Sequence, residues 1–204
     1  INSNNEDCLK SKWDDTQKLI TLYGVAAVLS FLHSIGLIHS DLKPSNILLD
    51  KNYEPRLSDI GISKIKNQEY FKVLSSQKHS TDNIIYVAPE TIKSDYTSYT
   101  KEGDVYAYSI IAYQILSNKK ALDEDNYQEM IHKIQNGARP KFNFPISDTY
   151  VELIQKCWSK EPLNRPNFDE ITRELRTNHH FITKSIDKKR YQSYINKMDE
   201  ILSN

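Results

Sequence analysis

The twelve residues from Val105 to Leu116, VYAYSIIAYQIL, are apolar on nearly every side, and this run limits the fold more than any other feature of the sequence. A surface helix shows one apolar stripe, whereas a helix apolar all round sits at the centre of a domain with partners on every side. Neither this run nor Leu19–Leu32 reaches the roughly 18 apolar residues of a membrane-spanning helix, and each carries Tyr or Ser. No secretory signal is visible. The sequence therefore predicts a mainly α fold, a helical bundle around a buried central helix.

Asp14, Asp15 and Thr16 offer an N-cap to a long apolar-rich helix that runs to about Ser34 and stops at Gly36. Residues 1–12 are polar and read as loop or frayed helix. Leu37 to Leu57 reads as short strands around a loop containing Pro44, a small β-hairpin region. Leu57–Asp82 is polar and aperiodic, a long loop of the kind that compact domains keep for function. Tyr150–Trp158 and Phe168–Leu175 read as amphipathic helices flanking a turn at Glu161–Pro166. In the tail, Tyr191, Tyr194, Ile195, Met198, Ile201 and Leu202 share one helical face, so the tail is expected to dock on something.

The 204 residues suffice for one sizeable core, burying roughly 70% of the unfolded chain's surface. Lys plus Arg and Asp plus Glu both number 27, so no basic excess points to nucleic acid. Cys8 and Cys157 form no CxxC pair, which argues against a disulfide framework or a zinc site. Two free thiols and no Asn-x-Ser/Thr acceptor fit a reducing, cytoplasmic address. His179 and His180 lack a third ligand and read as solvent-exposed. The chain begins with Ile1 rather than Met, which reads as a trimmed start or an excerpt of a longer product.

One block is useless to a core. In Ile38-His39-Ser40-Asp41-Leu42-Lys43-Pro44-Ser45-Asn46-Ile47-Leu48-Leu49, polar residues of catalytic type recur at close spacing. Asp59-Ile60-Gly61 follows 18 residues after Asp41, then Ala88-Pro89-Glu90, Asp104-Val105-Tyr106, Cys157-Trp158 and Arg165-Pro166. Set in this order, the first block resembles the catalytic loop of eukaryotic-type protein kinases. Asp59-Ile60-Gly61 resembles the DFG magnesium motif and Ala88-Pro89-Glu90 the APE motif; the likeness covers about Trp13 to Leu175. The phrases around these motifs look most like the tyrosine-kinase-like group, and the Asp-Leu-Lys-Pro context of Lys43 resembles serine/threonine-specific members. The resemblance implies a kinase C-terminal lobe over residues 1–176, a helical tail over 177–204, and no N-terminal lobe.

It further implies ATP-dependent phosphoryl transfer to a protein hydroxyl. Such transfer is catalysed mostly by positioning and by electrostatic stabilisation of charge spread over the phosphoryl oxygens. Asp41 would orient the substrate hydroxyl and take its proton, and Lys43 would reach the γ-phosphate. Asn46 and Asp59 would hold magnesium through oxygen, and Leu48 would lie under the adenine. His39 and Ile60 would fill an apolar column, with Gly61 completing the motif. Asp104 would hydrogen-bond the loop backbone, and Glu90 and Arg165 would form a buried ion pair. ATP, magnesium and a protein substrate are the implied cofactors and partners. The upper apolar face would be left for a missing lobe or another partner.

Several positions depart from the family. Ser40 replaces the Arg of HRD, which puts switching by activation-loop phosphorylation in doubt. Ile60 stands for Phe. Asp82-Asn83 stands for Gly-Thr, with Asn83 able to hydrogen-bond in place of the Thr that bridges Asp41 and Lys43, and Ser109 replaces a Gly. None of the five glycines precedes Gly24, so the sequence holds no Gly-rich loop and no strand Lys with its Glu partner. The chain by itself is therefore expected not to be a competent enzyme. The alternatives are a non-catalytic interaction module and a small-molecule phosphotransferase, the latter disfavoured by Ala88-Pro89-Glu90 and Arg165. A P-loop ATPase is excluded by the lack of Gly-x-x-x-x-Gly-Lys.

Overall fold

A computed structural model describes residues 13–60, 81–94, 99–123 and 126–203, with the side chains of 81 and 82 left out. The expectations for residues 1–12, for most of the 57–82 loop and for Gly61 lie outside the described residues. Helix α1 spans Asp15–Ser34. Asp14 caps it by accepting a hydrogen bond from Gln17 N at 2.6 Å. At its other end Gly36 N donates to His33 O and Leu37 N to Leu32 O, with Gly36 at φ 75°. That pair of bonds is a Schellman stop, which needs a residue able to adopt the left-handed conformation.

Two strands follow, β1 (Ile47–Leu49) and β2 (Pro55–Leu57), antiparallel in the register Ile47 to Leu57, Leu48 to Arg56 and Leu49 to Pro55. Asp50 builds the turn between them. Its Oδ1 accepts from Asn52 N at 2.8 Å and Glu54 N at 3.1 Å, and its Oδ2 accepts from Arg56 Nη2 at 2.9 Å.

Short helices α2 (Thr81–Ile84) and α3 (Pro89–Lys93) lead to α4, Lys101–Ser117, which is the helix announced by the apolar run. Every residue from Asp104 to Tyr113 is buried, and Asn118 ends the helix in the left-handed conformation. Ser109, where a Gly was expected, is fully buried and satisfied by donating to Tyr106 O at 2.6 Å.

Then come α5 (Tyr127–Gln135), packed on α2 and α3; α6 (Asp148–Cys157), packed on α4; and α7 (Phe168–Thr177, opened by an Asn167/Glu170 capping box) and α8 (Lys188–Leu202), both packed on α1. Phe168 ties α1 to α4, meeting the rings of His33 and Tyr108 edge-on at 5.1 and 5.5 Å. Among the described residues the fold is thus mainly helical with one two-stranded sheet, and the mainly helical fold is what the sequence predicts.

The tail helix docks on the chain's own body. Tyr191, Tyr194, Ile195 and Met198 are buried against α1, with Tyr23 edge-on to Tyr191 at 5.8 Å and to Tyr194 at 6.3 Å. Arg176 grips Asp199 with two hydrogen bonds, and Lys197 Nζ lies 2.6 Å from Glu54 Oε2 in the hairpin turn. Ile201 corrects the expected face: it is 46% exposed, while Leu202 beside it packs against the core.

Candidate active site

The block from His39 to Asn46 is held from beneath by one carboxylate. Asp104, on the first turn of α4 and 2% exposed, accepts from His39 N at 2.8 Å and from Ser40 N at 2.9 Å. Ser40 has φ 64°, a left-handed conformation that disfavours a residue with a side chain by about 1–2 kcal/mol. The two Asp104 bonds fix the chain there.

His39 and Leu42 are buried at 1% and 2%, while Asp41 and Lys43 keep partial exposure. His39 Nε2 lies 3.2 Å from Ser58 O, which fastens the block to the strand that leads into Asp59.

On the open side, Lys43 Nζ stands 2.9 Å from Asp41 Oδ2. Asn46, itself buried, donates from Nδ2 to Asp41 O at 2.7 Å and reaches Asp41 Oδ2 at 3.4 Å. The carboxylate of Asp41 is therefore flanked by a cation and an amide, with its backbone pinned. Ser58 N donates to Asn46 O at 3.0 Å, so Asp59 follows directly after a residue bonded to Asn46.

Asp59 is exposed and left-handed at φ 57°, and its Oδ2 accepts from Ser58 Oγ at 3.4 Å. The amide nitrogen of Asn46 is committed to Asp41, leaving Oδ1 with a long 3.5 Å contact from Ser45 Oγ. Asn46 Oδ1 and the Asp59 carboxylate are hard oxygen donors, a set that fits a magnesium ion completing its shell with water and phosphate oxygen.

A cleft beside the cluster is lined by Asp41, Lys43, Asn83, Tyr86, Val87 and Tyr99. Asn83 lines the same cleft as Asp41 and Lys43, and its carbonyl accepts from Tyr86 N at 3.3 Å. Further down, Arg165 forms a two-pronged pair with Glu90 at 2.6 and 3.0 Å and also donates to Ser159 O and Glu102 O. Only half of this pair is deeply buried, since the Arg165 side chain has no exposure and that of Glu90 keeps 28%.

Ile60 is a clear correction. It does not stand in an apolar column with His39 but is 41% exposed, and Leu48 and Leu49 are 55% and 40% exposed. His39 is held in place by its backbone bond to Asp104 of α4 and its ring contact with the Ser58 carbonyl.

The sequence did not reveal that His33 belongs to this support. Its Nε2 lies 2.9 Å from Asp104 Oδ2, and its carbonyl accepts from Lys101 Nζ at 2.7 Å. A His in the last turn of an apolar helix was the available signal, but it named no partner.

A family model described as "Protein tyrosine and serine/threonine kinase" matches residues 4–175. The chain is 33% identical over 159 residues to RGS domain-containing serine/threonine-protein kinase A of Dictyostelium discoideum, covering 78% of this chain and 13% of that protein. It is 33% identical over 172 residues to receptor-interacting serine/threonine-protein kinase 4 of Mus musculus, covering 79% of this chain and 21% of the relative. The ankyrin repeat and protein kinase domain-containing protein 1 of Mus musculus is 33% identical over 160 residues, covering 74% and 21%. The chain thus spans between 13% and 21% of the length of these relatives.

Proposed function

The chain belongs to the protein tyrosine and serine/threonine kinase family, and we propose that its Asp41 cluster serves ATP-dependent phosphoryl transfer to serine or threonine hydroxyls of a protein. The observation that carries this reading is the Asp41–Lys43 pair at 2.9 Å, pinned by Asn46 and open to the cleft. Asp41 is placed to accept a hydrogen bond from an incoming hydroxyl and then its proton, a contribution of about 100- to 10,000-fold in rate. Lys43, leaving Asp41 for a phosphate oxygen, steadies charge on the transferring group. Asn46 and Asp59 are the oxygen donors for magnesium, whose chemistry when bound is to neutralise phosphate charge. Leu48, exposed beside them, offers an apolar surface to the adenine.

No Gly-rich phosphate cover and no paired strand Lys occur in this sequence. Transfer therefore needs those parts from elsewhere, either a preceding lobe or one supplied by fusion. The test is phosphate transfer from labelled ATP to serine, threonine and tyrosine peptides by the chain fused to a kinase N-terminal lobe. Labelled serine or threonine peptides, lost about 100-fold or more in Asp41→Asn, are the expected result. Equal labelling by Asp41→Asn would overturn the role of Asp41, and labelling of tyrosine alone would overturn the substrate class.

A second reading, a non-catalytic interaction module, draws on the open apolar side chains Leu48, Leu49 and Ile60 and on Ser40 in place of Arg. It would take over if the fused chain bound a protein partner through that surface and transferred no phosphate.

A further inference from the structure

The turn between β1 and β2 is gripped from α8, a helix outside the residues that the family model matches. Gln17 of α1 relays the first grip. It is 1% exposed, its Nε2 donates to Tyr53 O in the turn, and its Oε1 accepts from Arg190 Nη2 in the first turn of α8. Arg190 is anchored in turn by the Asp14 carboxylate at 3.0 and 3.2 Å. Tyr53 has φ 63°, a left-handed conformation that a side chain disfavours and that persists only where neighbours hold it.

Lys197 supplies the second grip. Its Nζ lies 2.6 Å from Glu54 Oε2, and Glu54 keeps only 17% exposure while also facing Arg56 Nη2 at 3.3 Å. Between the two grips, a Cβ at Gly24 would stand 2.2 Å from the Tyr194 hydroxyl and 2.6 Å from Pro55 Cγ, so α8 and the start of β2 meet over the same bare spot of α1.

The other end of the hairpin carries both proposed magnesium donors. β1 begins one residue after Asn46 and β2 ends two residues before Asp59, each strand spanning three residues or about 10 Å. Ile47 pairs with Leu57, and Ser58 N donates to Asn46 O at 3.0 Å. Asn46 is tied to Asp41 as well, whereas among the described residues the Asp59 side chain bonds only to its neighbour Ser58. A two-stranded hairpin is marginal by itself and takes its orientation from what packs on it. A shift of the turn therefore moves Asp59 relative to Asn46.

We propose that Gln17, Arg190 and Lys197 are positioning residues for the magnesium donors. Docking of α8 on the hairpin turn sets where Asp59 stands relative to Asn46, and release of α8 switches the site to weak magnesium–nucleotide binding. The proposal rests on the assignment of Asn46 and Asp59 to magnesium.

The test uses the full chain and three variants. Gln17→Glu keeps an acceptor for Arg190 but has no donor for Tyr53 O, so it frees the hairpin with the tail in place. Lys197→Met removes the charge facing Glu54, and Lys197→Arg restores it. Amide hydrogen exchange is read first, without ligand. Exchange at Ser58 should quicken about fivefold in Gln17→Glu and about threefold in Lys197→Met. Lys197→Arg should match wild type, and the amides of α4 should be unchanged in all three. The dissociation constant for magnesium–ATP should rise by similar factors, with affinity for ATP in EDTA unmoved.

Ser58 exchange at the wild-type rate in both Gln17→Glu and Lys197→Met would overturn the proposal, whether or not nucleotide binds. Faster exchange spread evenly over α4 would overturn it too, since that is general loss of stability. Faster exchange at Ser58 with unchanged magnesium–ATP affinity would overturn the positioning role and leave the phosphoryl-transfer reading intact. No magnesium–ATP binding by the wild-type chain would overturn that reading and the positioning role together, with Ser58 exchange then reporting a structural brace.

Discussion

At the scale of single residues, Arg165 shows how one side chain can hold distant segments together. Its guanidinium joins Glu90 in the first turn of α3, Ser159 after α6 and Glu102 at the start of α4. Removing one partner of a buried pair strands the other and costs about 3–5 kcal/mol. Because Glu90 keeps 28% exposure, Arg165→Ala is expected near the low end, about 3 kcal/mol, by urea denaturation. A loss under about 0.5 kcal/mol would place the pair among weak surface bridges.

Asp104 makes a comparable case. Asp104→Ala leaves His39 N and Ser40 N without their acceptor, and each buried unmet donor costs about 1–3 kcal/mol. The same substitution frees Ser40 from its left-handed φ, so amide exchange at Ser40 should speed up with the loss of stability. Protection unchanged at Ser40 would mean that the loop is held by something other than Asp104.

Legibility also differed residue by residue. Asp41, Lys43, Asn46 and Asp59 could be picked out because closely spaced polar residues have no use in a core, whereas Asp104 and the Glu90–Arg165 pair came from the resemblance to kinases. The exposure of Ile60 could not, since an apolar residue between two landmarks gives no sign of what covers it. The pairing of His33 with Asp104 spans 71 residues in sequence, and no local pattern links two such positions.

At the scale of elements, helices were readable where their apolar periodicity was strong or their ends were marked. The unbroken apolar run gave α4, and the Asp14 cap with the Gly36 stop gave α1. The amphipathic α5 went unread because Met130 and Ile134 are the only residues it buries, too thin a stripe to stand out. Gly36→Ala would place a Cβ at φ 75° and is expected to lose about 1 kcal/mol, seen as a lower denaturation midpoint.

Gly24 is more severe. A Cβ there would come within 2.2 Å of the Tyr194 hydroxyl and 2.6 Å of Pro55 Cγ, so Gly24→Ala should push α8 and the hairpin off α1. Loss of the tail's amide protection would register it, and an unperturbed tail would contradict the packing.

The hairpin turn brings a pH dependence. Burial alone would raise the Asp50 carboxyl, but hydrogen bonds from Glu54 N, Arg56 and Asn52 N outweigh it and hold the group below its ordinary value. The stability it adds is complete above the unfolded value of about 3.9 and is lost as pH falls through the lower native value. Asp50→Ala should therefore lower stability at neutral pH and flatten the acid limb of the stability curve. An acid limb identical to wild type would remove Asp50 from the turn's energetics.

At the scale of the whole molecule, α8 belongs to the folded unit although it lies beyond the residues matched by the family model. Tyr191, Tyr194, Ile195 and Met198 are each buried, and fully burying a large side chain contributes about 1.5–3 kcal/mol. Four of them amount to a large part of a typical 5–15 kcal/mol total. A chain ending at Asp187 should thus lose its cooperative thermal transition, and an unchanged melt would show the tail to be ornamental.

The proposed role in phosphoryl transfer is tested most directly by nucleotide itself. Magnesium and ATP would be titrated calorimetrically into the 204-residue chain, beside Asp59→Ala. Magnesium-dependent binding that disappears in Asp59→Ala is the predicted result. No binding up to millimolar ATP, or binding indifferent to magnesium and to Asp59, would contradict the assignment of the Asp41 cluster to nucleotide chemistry.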